Sequence, residues 1–150
     1  MSDLREMCES LGFTEVKTYI ASGNVVFSSK HSRQAVKAAL ESRLAAYAGK
    51  KVGVFVRTAA ELEAVLHNNP FGDRDPRFTV AIMVDEKLPK DALADVAGQA
   101  DDEELRIGKE EIYVYYGSGM ARSKLRIPAA GRGTARNMNT IRKMVELASR

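Results

Sequence analysis

Between residues 112 and 145 the chain contains no aspartate or glutamate. The same stretch carries Arg122, Lys124, Arg126, Arg132, Arg136, Arg142 and Lys143, with Gly117, Gly119, Gly131 and Gly133 between them. A formal net charge of +3 over 150 residues therefore conceals a separation of sign, because Asp101, Asp102, Glu103 and Glu104 stand just upstream. An anionic partner is the first expectation. Cysteine is almost absent as well: Cys8 is the single one, which excludes an internal disulfide. No apolar run approaches the roughly 20 residues of a membrane span, and the amino terminus lacks a signal-peptide profile. A cytoplasmic protein with no membrane partner is the expectation. The only histidines, His31 and His67, lie in polar settings with no second ligand at metal-binding spacing. Thiol pairs and Walker loops are missing, and Gly117-Ser118-Gly119 lacks the third glycine of a dinucleotide fingerprint. No metal, no cofactor and no catalytic constellation is expected.

What is present reads as one mixed globular chain. Leu4, Met7, Cys8 and Leu11 share one helix face, which places Cys8 in a core, and Ser2 and Gly12 suit the two ends of that helix. Residues 16–21 and 24–28 are β-prone and flank Ser22-Gly23, the pattern of a tight hairpin. Ser32 opens a longer helix with Val36, Leu40, Leu44 and Tyr47 as its stripe and Gly49 as its stop. Alternation of Val52, Val54 and Val56 predicts the next strand. Thr58 and Glu61 form a capping box for a connecting helix that Pro70 cannot continue. Beyond it, residues 78–84 read as a buried strand, Pro89 as the first turn of a helix containing Leu93 and Val96, and 105–107 with 112–116 as a hairpin. A last helix carries Ile141, Met144, Val145 and Ala148 on its buried side, with residues 136–140 supplying the cap.

The order is therefore α-β-β-α-β followed by β-α-β-β-α. Both halves fit a ferredoxin-like β-α-β-β-α-β unit, the first without its leading strand, which should leave backbone edges open to self-association. The expected fold class is α+β with two packed ferredoxin-like halves. The expected organisation is a first half over 1–57, a connecting helix over 58–70, and a second half with the basic segment over 71–150.

Several runs carry a family resemblance: Gly12-Phe13-Thr14, Thr18-Tyr19-Ile20-Ala21-Ser22-Gly23-Asn24-Val25-Val26-Phe27, Asn69-Pro70-Phe71, Arg122-Ser123-Lys124-Leu125, and Thr134-Ala135-Arg136-Asn137-Met138-Asn139-Thr140. Together they resemble the bacterial DUF1697 domain of unknown function. The resemblance implies two α+β, ferredoxin-like halves and brings no established activity. Members of that family begin with a hydrophobic strand and a Gly-Ile-Asn-Val-Gly-Gly type loop that this chain does not have, so Met1 resembles an internal methionine. Met138 stands where the family usually places tryptophan.

Candidate binding residues follow from charge and backbone chemistry. Gly117, Gly119, Arg122, Ser123 and Lys124 could hold a phosphate or carboxylate with exposed amides and cations, or could be a flexible basic connection. Arg132, Arg136, Asn137 and Asn139 surround the start of the last helix, where amides and the helix dipole favour an anion, although Asn137 could simply cap and the arginines could pair with the upstream acidic run. Ser22, Gly23 and Asn24 could face a ligand or only build the hairpin turn. Tyr113 and Tyr115 share a strand face that could stack bases or lie at a packed interface between the two halves. Asp73 and Asp75 read as turn residues more readily than as a hydrolytic pair. The leading expectation is a non-catalytic module binding a nucleic acid or nucleotide. The alternatives are a small enzyme acting on a phosphorylated metabolite, with Ser123 or Tyr115 near the reacting centre, and a self-associating scaffold.

Overall fold

The computed structural model describes residues 2–19, 24–50, 53–85, 88–117, 123–130 and 133–148. It is an α+β protein whose chain divides into two compact units, Met1–Leu62 with Lys143–Arg150, and Glu63–Arg142. No helix among the described residues is long and apolar enough to cross a membrane.

The first unit begins with α1 (Ser2–Ser10), which ends where Gly12 takes φ +89. β1 (Thr14–Tyr19) and β2 (Asn24–Ser28) pair antiparallel, Tyr19 opposite Asn24, and the turn between them lies outside the described residues. A bulge between Thr14 and Lys17 puts Glu15 at φ +54, from where its carboxylate accepts a 2.9 Å bond from the Ser28 hydroxyl. α2 (Arg33–Ala48) has the expected caps: the Ser32 side chain accepts from the Ala35 N–H, and Gly49 is left-handed. Cys8, Phe13, Val16, Val36 and Leu40 form the core, Phe13 stacked on Phe27 at 4.2 Å. Cys8 is a core residue whose thiol pKa is pushed up by burial and then by the charge of Glu9.

Two expectations fail in this unit. Tyr47 is 66% exposed, because the buried side of α2 is carried by Val36 and Leu40 alone. The strand expected around Val54 and Val56 does not form a ladder within the described residues 53–57. Both valines still pack on the core, and the Val54 N–H is satisfied by the Glu41 carboxylate at 3.2 Å. A side chain takes the donor that a neighbouring strand would have used.

α3 (Ala59–His67) starts with the capping box in both directions: the Thr58 N–H donates to Glu61 at 2.8 Å and the Glu61 N–H to the Thr58 hydroxyl at 3.1 Å. In the second unit β3 (Thr79–Met83), β4 (Glu103–Ile107), β5 (Glu111–Tyr116) and β6 (Thr134–Asn137) make an antiparallel sheet in the order β4-β5-β3-β6. One face of β5 packs Ile112 and Val114 against Leu105, Ile82, Leu93, Val96, Leu125 and Ile127. On the other face Tyr113 is buried, its hydroxyl donating to the Val65 carbonyl at 2.9 Å, and Tyr115 lies beside Phe71 and under Arg74. Packing, rather than open aromatic surface, explains this tyrosine pair.

The helix expected after Pro89 is instead a series of turns, with Ala92, Ala94 and Val96 each donating to the carbonyl three residues before. β6 was not expected at all. Its sequence, Thr-Ala-Arg-Asn, lacks apolar alternation, and it is a strand because it lines up against β3, from Met83↔Thr134 to Val80↔Asn137. A 3-10 turn, Pro128–Ala130, precedes it, and α4 (Met138–Ala148) follows directly. Asp75 does serve a turn, its carboxylate accepting from the Arg77 N–H at 2.9 Å.

Candidate functional site

The basic segment contains an extended strap over residues 123–127, and the alternation of its sequence decides what it offers. Leu125 and Ile127 pack inward on the sheet, so Lys124 and Arg126 turn outward and are exposed. Backbone bonds tie the strap to the chain before β4: Ala97 N–H to Arg126 O at 3.0 Å and Arg126 N–H to Ala97 O at 2.7 Å. At Gly98, φ is +74 and a Cβ would fall on the Lys124 carbonyl, so only glycine lets the two segments meet.

Glu103 fastens the end of the strap. It is buried, its carboxylate accepting the Ser123 hydroxyl at 2.5 Å and the Ala100 N–H at 2.8 Å. Ser123 also accepts the Leu125 N–H at 3.2 Å. Gln99 donates to the Glu103 carbonyl at 2.7 Å. Burial, and then the neighbouring Glu103 charge, raises the Tyr116 phenol above its usual range. Ser123 is thus a fastener, its hydroxyl committed to a carboxylate, and both histidines are exposed elsewhere on the chain.

The remaining candidates divide. Lys124 is exposed in the strap. Gly117 gives its N–H to the Asp102 carbonyl at 3.2 Å, and a Cβ there would lie 2.6 Å from the same oxygen, so close backbone approach accounts for this glycine. Arg136 donates from Nη1 to the Thr134 hydroxyl at 2.8 Å and to the Ala135 carbonyl at 2.9 Å. Asn137 caps α4, its side-chain oxygen accepting the Thr140 N–H at 2.9 Å, and Asn139 is exposed in the first turn. Asn24 is buried at the start of β2, in the other unit. Ser22, Gly23, Gly119, Arg122 and Arg132 lie outside the described residues.

Sequence reasoning missed Arg126, Gly98, Gln99 and Glu103 as parts of this arrangement. The period-two pattern Lys124-Leu125-Arg126-Ile127 was the available signal for the first. Glu103 read only as one member of an acidic run that the arginines could pair with, although it is buried while Asp101 and Asp102 are exposed. Among the described residues no group of acidic, histidine or cysteine side chains could hold a metal ion.

Fold and strap together define an α+β protein with a cationic strap laid on one sheet. The chain belongs to the family described as "Protein of unknown function (DUF1697)", whose model matches residues 1–113. The strap lies beyond that matched span. Comparison with curated proteins gives no match. Among solved structures, a conserved bacterial protein from Streptococcus pneumoniae is similar at 27% identity and a TM-score of 0.79, over 99% of this chain and 88% of that one.

Proposed function

We propose that this chain is a non-catalytic module that binds an anionic ligand, a nucleic acid or nucleotide, through the cations of its carboxy-terminal segment. One observation carries the reading. Lys124 and Arg126 project from the strap, and neither has a carboxylate at ion-pair distance among the described residues. Arg33, Arg74 and Arg77, by contrast, are each matched by Glu61, Glu104 and Asp75. Cations left unmatched on a fixed backbone are available to neutralise phosphates and release their counterions. The same proposal includes a cytoplasmic setting and a ferredoxin-like character for the second unit. Its strand order β4-β5-β3-β6, with the unit's first strand between its third and fourth, supports that character, and the turns at residues 89–96 stand where its first crossover helix would be.

Fluorescence anisotropy of labelled single-stranded RNA and DNA across a salt series tests the reading. Affinity is expected to fall with salt, and Lys124→Ala/Arg126→Ala should flatten the logarithmic slope by about 1.4, at roughly 0.7 per lost phosphate contact. Affinity that is flat or rises with salt would sink it.

A further inference from the structure

We infer that Glu103, although negatively charged, is the positioning residue that presents Lys124 and Arg126 to the anion; this rests on the binding reading above. A carboxylate beside a cationic strap would ordinarily be counted against anion binding. Here it is buried, with one oxygen committed to the Ala100 N–H and the other to the Ser123 hydroxyl. Its charge is directed inward, into two donors, and a carboxylate so engaged holds its partners more tightly than a neutral acceptor would. Its own backbone is fixed from the same side, by Gln99 at the carbonyl and by Ala100 at the N–H. One side chain therefore joins three pieces of chain: β4, the loop at 99–100, and the strap at Ser123.

The register of the strap depends on that junction. With Ser123 held, Leu125 and Ile127 reach the sheet and the Ala97–Arg126 pair forms, which turns Lys124 and Arg126 outward together. Without it, the strap is held by the two backbone bonds at Ala97, the contact at Gly98 and the packing of Leu125 and Ile127, none of which fixes the position of residue 123. The ends of residues 123–127 could then slip, and a slip by one residue in an extended segment exchanges inward and outward side chains, turning the cations in and the leucine out. Simple electrostatics and positioning predict opposite signs for loss of the Glu103 charge, which makes the inference decidable.

Three variants of the full chain test it: Glu103→Gln, Ser123→Ala and Ser123→Thr. Amide hydrogen exchange reads the latch without any ligand, and anisotropy of labelled single-stranded RNA at low salt reads the consequence. Exchange at the Ala97 and Arg126 amides should quicken by about tenfold or more in Glu103→Gln and Ser123→Ala, on the scale of one lost charge-assisted bond, while Ile112 and Val114 keep their protection. RNA should bind several-fold more weakly to both, and Ser123→Thr, which keeps the hydroxyl, should restore protection and binding. Unchanged exchange at Ala97 and Arg126 overturns the latch. Tighter RNA binding by Glu103→Gln overturns positioning in favour of plain electrostatics. Quickened exchange in a chain whose parent binds no RNA would sink the binding reading and reduce Glu103 to a structural fastener, which also overturns the positioning role.

Discussion

Glycines at positive φ separate backbone strain from crowding, because Gly12 and Gly98 share the left-handed conformation but not the surroundings. At Gly12 a Cβ would meet nothing within 4 Å, whereas at Gly98 it would fall on the Lys124 carbonyl. Gly12→Ala should then lose only the conformational term, about 1 kcal/mol. Gly98→Ala adds a backbone collision that no rotamer can relieve, and should lose at least about 2 kcal/mol. Urea midpoints for the two variants measure the difference, and equal losses would mean that the strap does not press on Gly98.

Capping chemistry sets a pH dependence at the level of the element. Burial alone would raise the Glu61 pKa, but the Thr58 N–H and the Arg33 guanidinium outweigh it and hold the carboxyl below its usual 4.5. The folded chain thus binds that proton less readily than the unfolded chain does. The stabilisation is complete above about pH 4.5 and is lost as pH falls through the lower folded value. Glu61→Gln, which keeps the shape of the side chain and removes its charge, should cost about 1 kcal/mol at neutral pH and less in acid, where the parent's own carboxylate is protonated. A cost that is constant from neutral to acid pH would mean that the Glu61 charge is not its source.

The exposed edge of β4 carries its own protection against pairing with another chain. Bonds from Gly108 to Glu111 and from Gly117 to Asp102 turn the even residues of β4 toward β5, so Glu103, Leu105 and Ile107 direct their backbone groups outward. Ala100 and Gln99 cover those of Glu103, and Arg106 curls back to the Leu105 carbonyl at 2.7 Å. Side chains that cap an edge also guard it. Replacing both guards, Gln99→Ala with Arg106→Thr, should make the chain self-associate more strongly than the parent. Sedimentation velocity reads this directly, and unchanged association would mean that the caps do not protect the edge.

What was legible in the sequence was local. Ser32, Gly49, Thr58 with Glu61, and Gly12 act on their own neighbours, and each does what its chemistry requires. What was illegible depends on distant partners. Val54 has strand chemistry but finds the Glu41 carboxylate, Leu93 and Val96 have a helical setting but sit in turns, and Thr134-Ala-Arg-Asn has neither pattern yet becomes β6 against β3. The strap was half legible. Its charges were plain, while the burial of Glu103 that fastens it arises only when β4 joins the sheet.

Over the whole molecule, the seven cations of residues 112–145 separate two effects that salt would otherwise mix. Like charges repel in the compact state, and sodium chloride relieves that repulsion by screening, at a Debye length of about 10 Å in 0.1 M salt. A polyanion that binds only the folded chain acts differently, contributing RT ln(1 + [L]/Kd), about 2.7 kcal/mol at a hundredfold excess over Kd. For a chain of this size that corresponds to a rise in Tm of about 5–10 °C. The two agents should therefore oppose each other in combination. A single-stranded oligonucleotide should raise Tm at low ionic strength, and adding sodium chloride should erode that gain even as it relieves repulsion in the free protein, because it competes for the phosphate contacts. Lys124→Ala/Arg126→Ala should show a smaller gain from the oligonucleotide with little change in its own response to salt, since five of the cations remain. A gain that survives high salt would point to a ligand held by contacts other than charge, and a Tm indifferent to the oligonucleotide at low salt would remove nucleic acid as the anion.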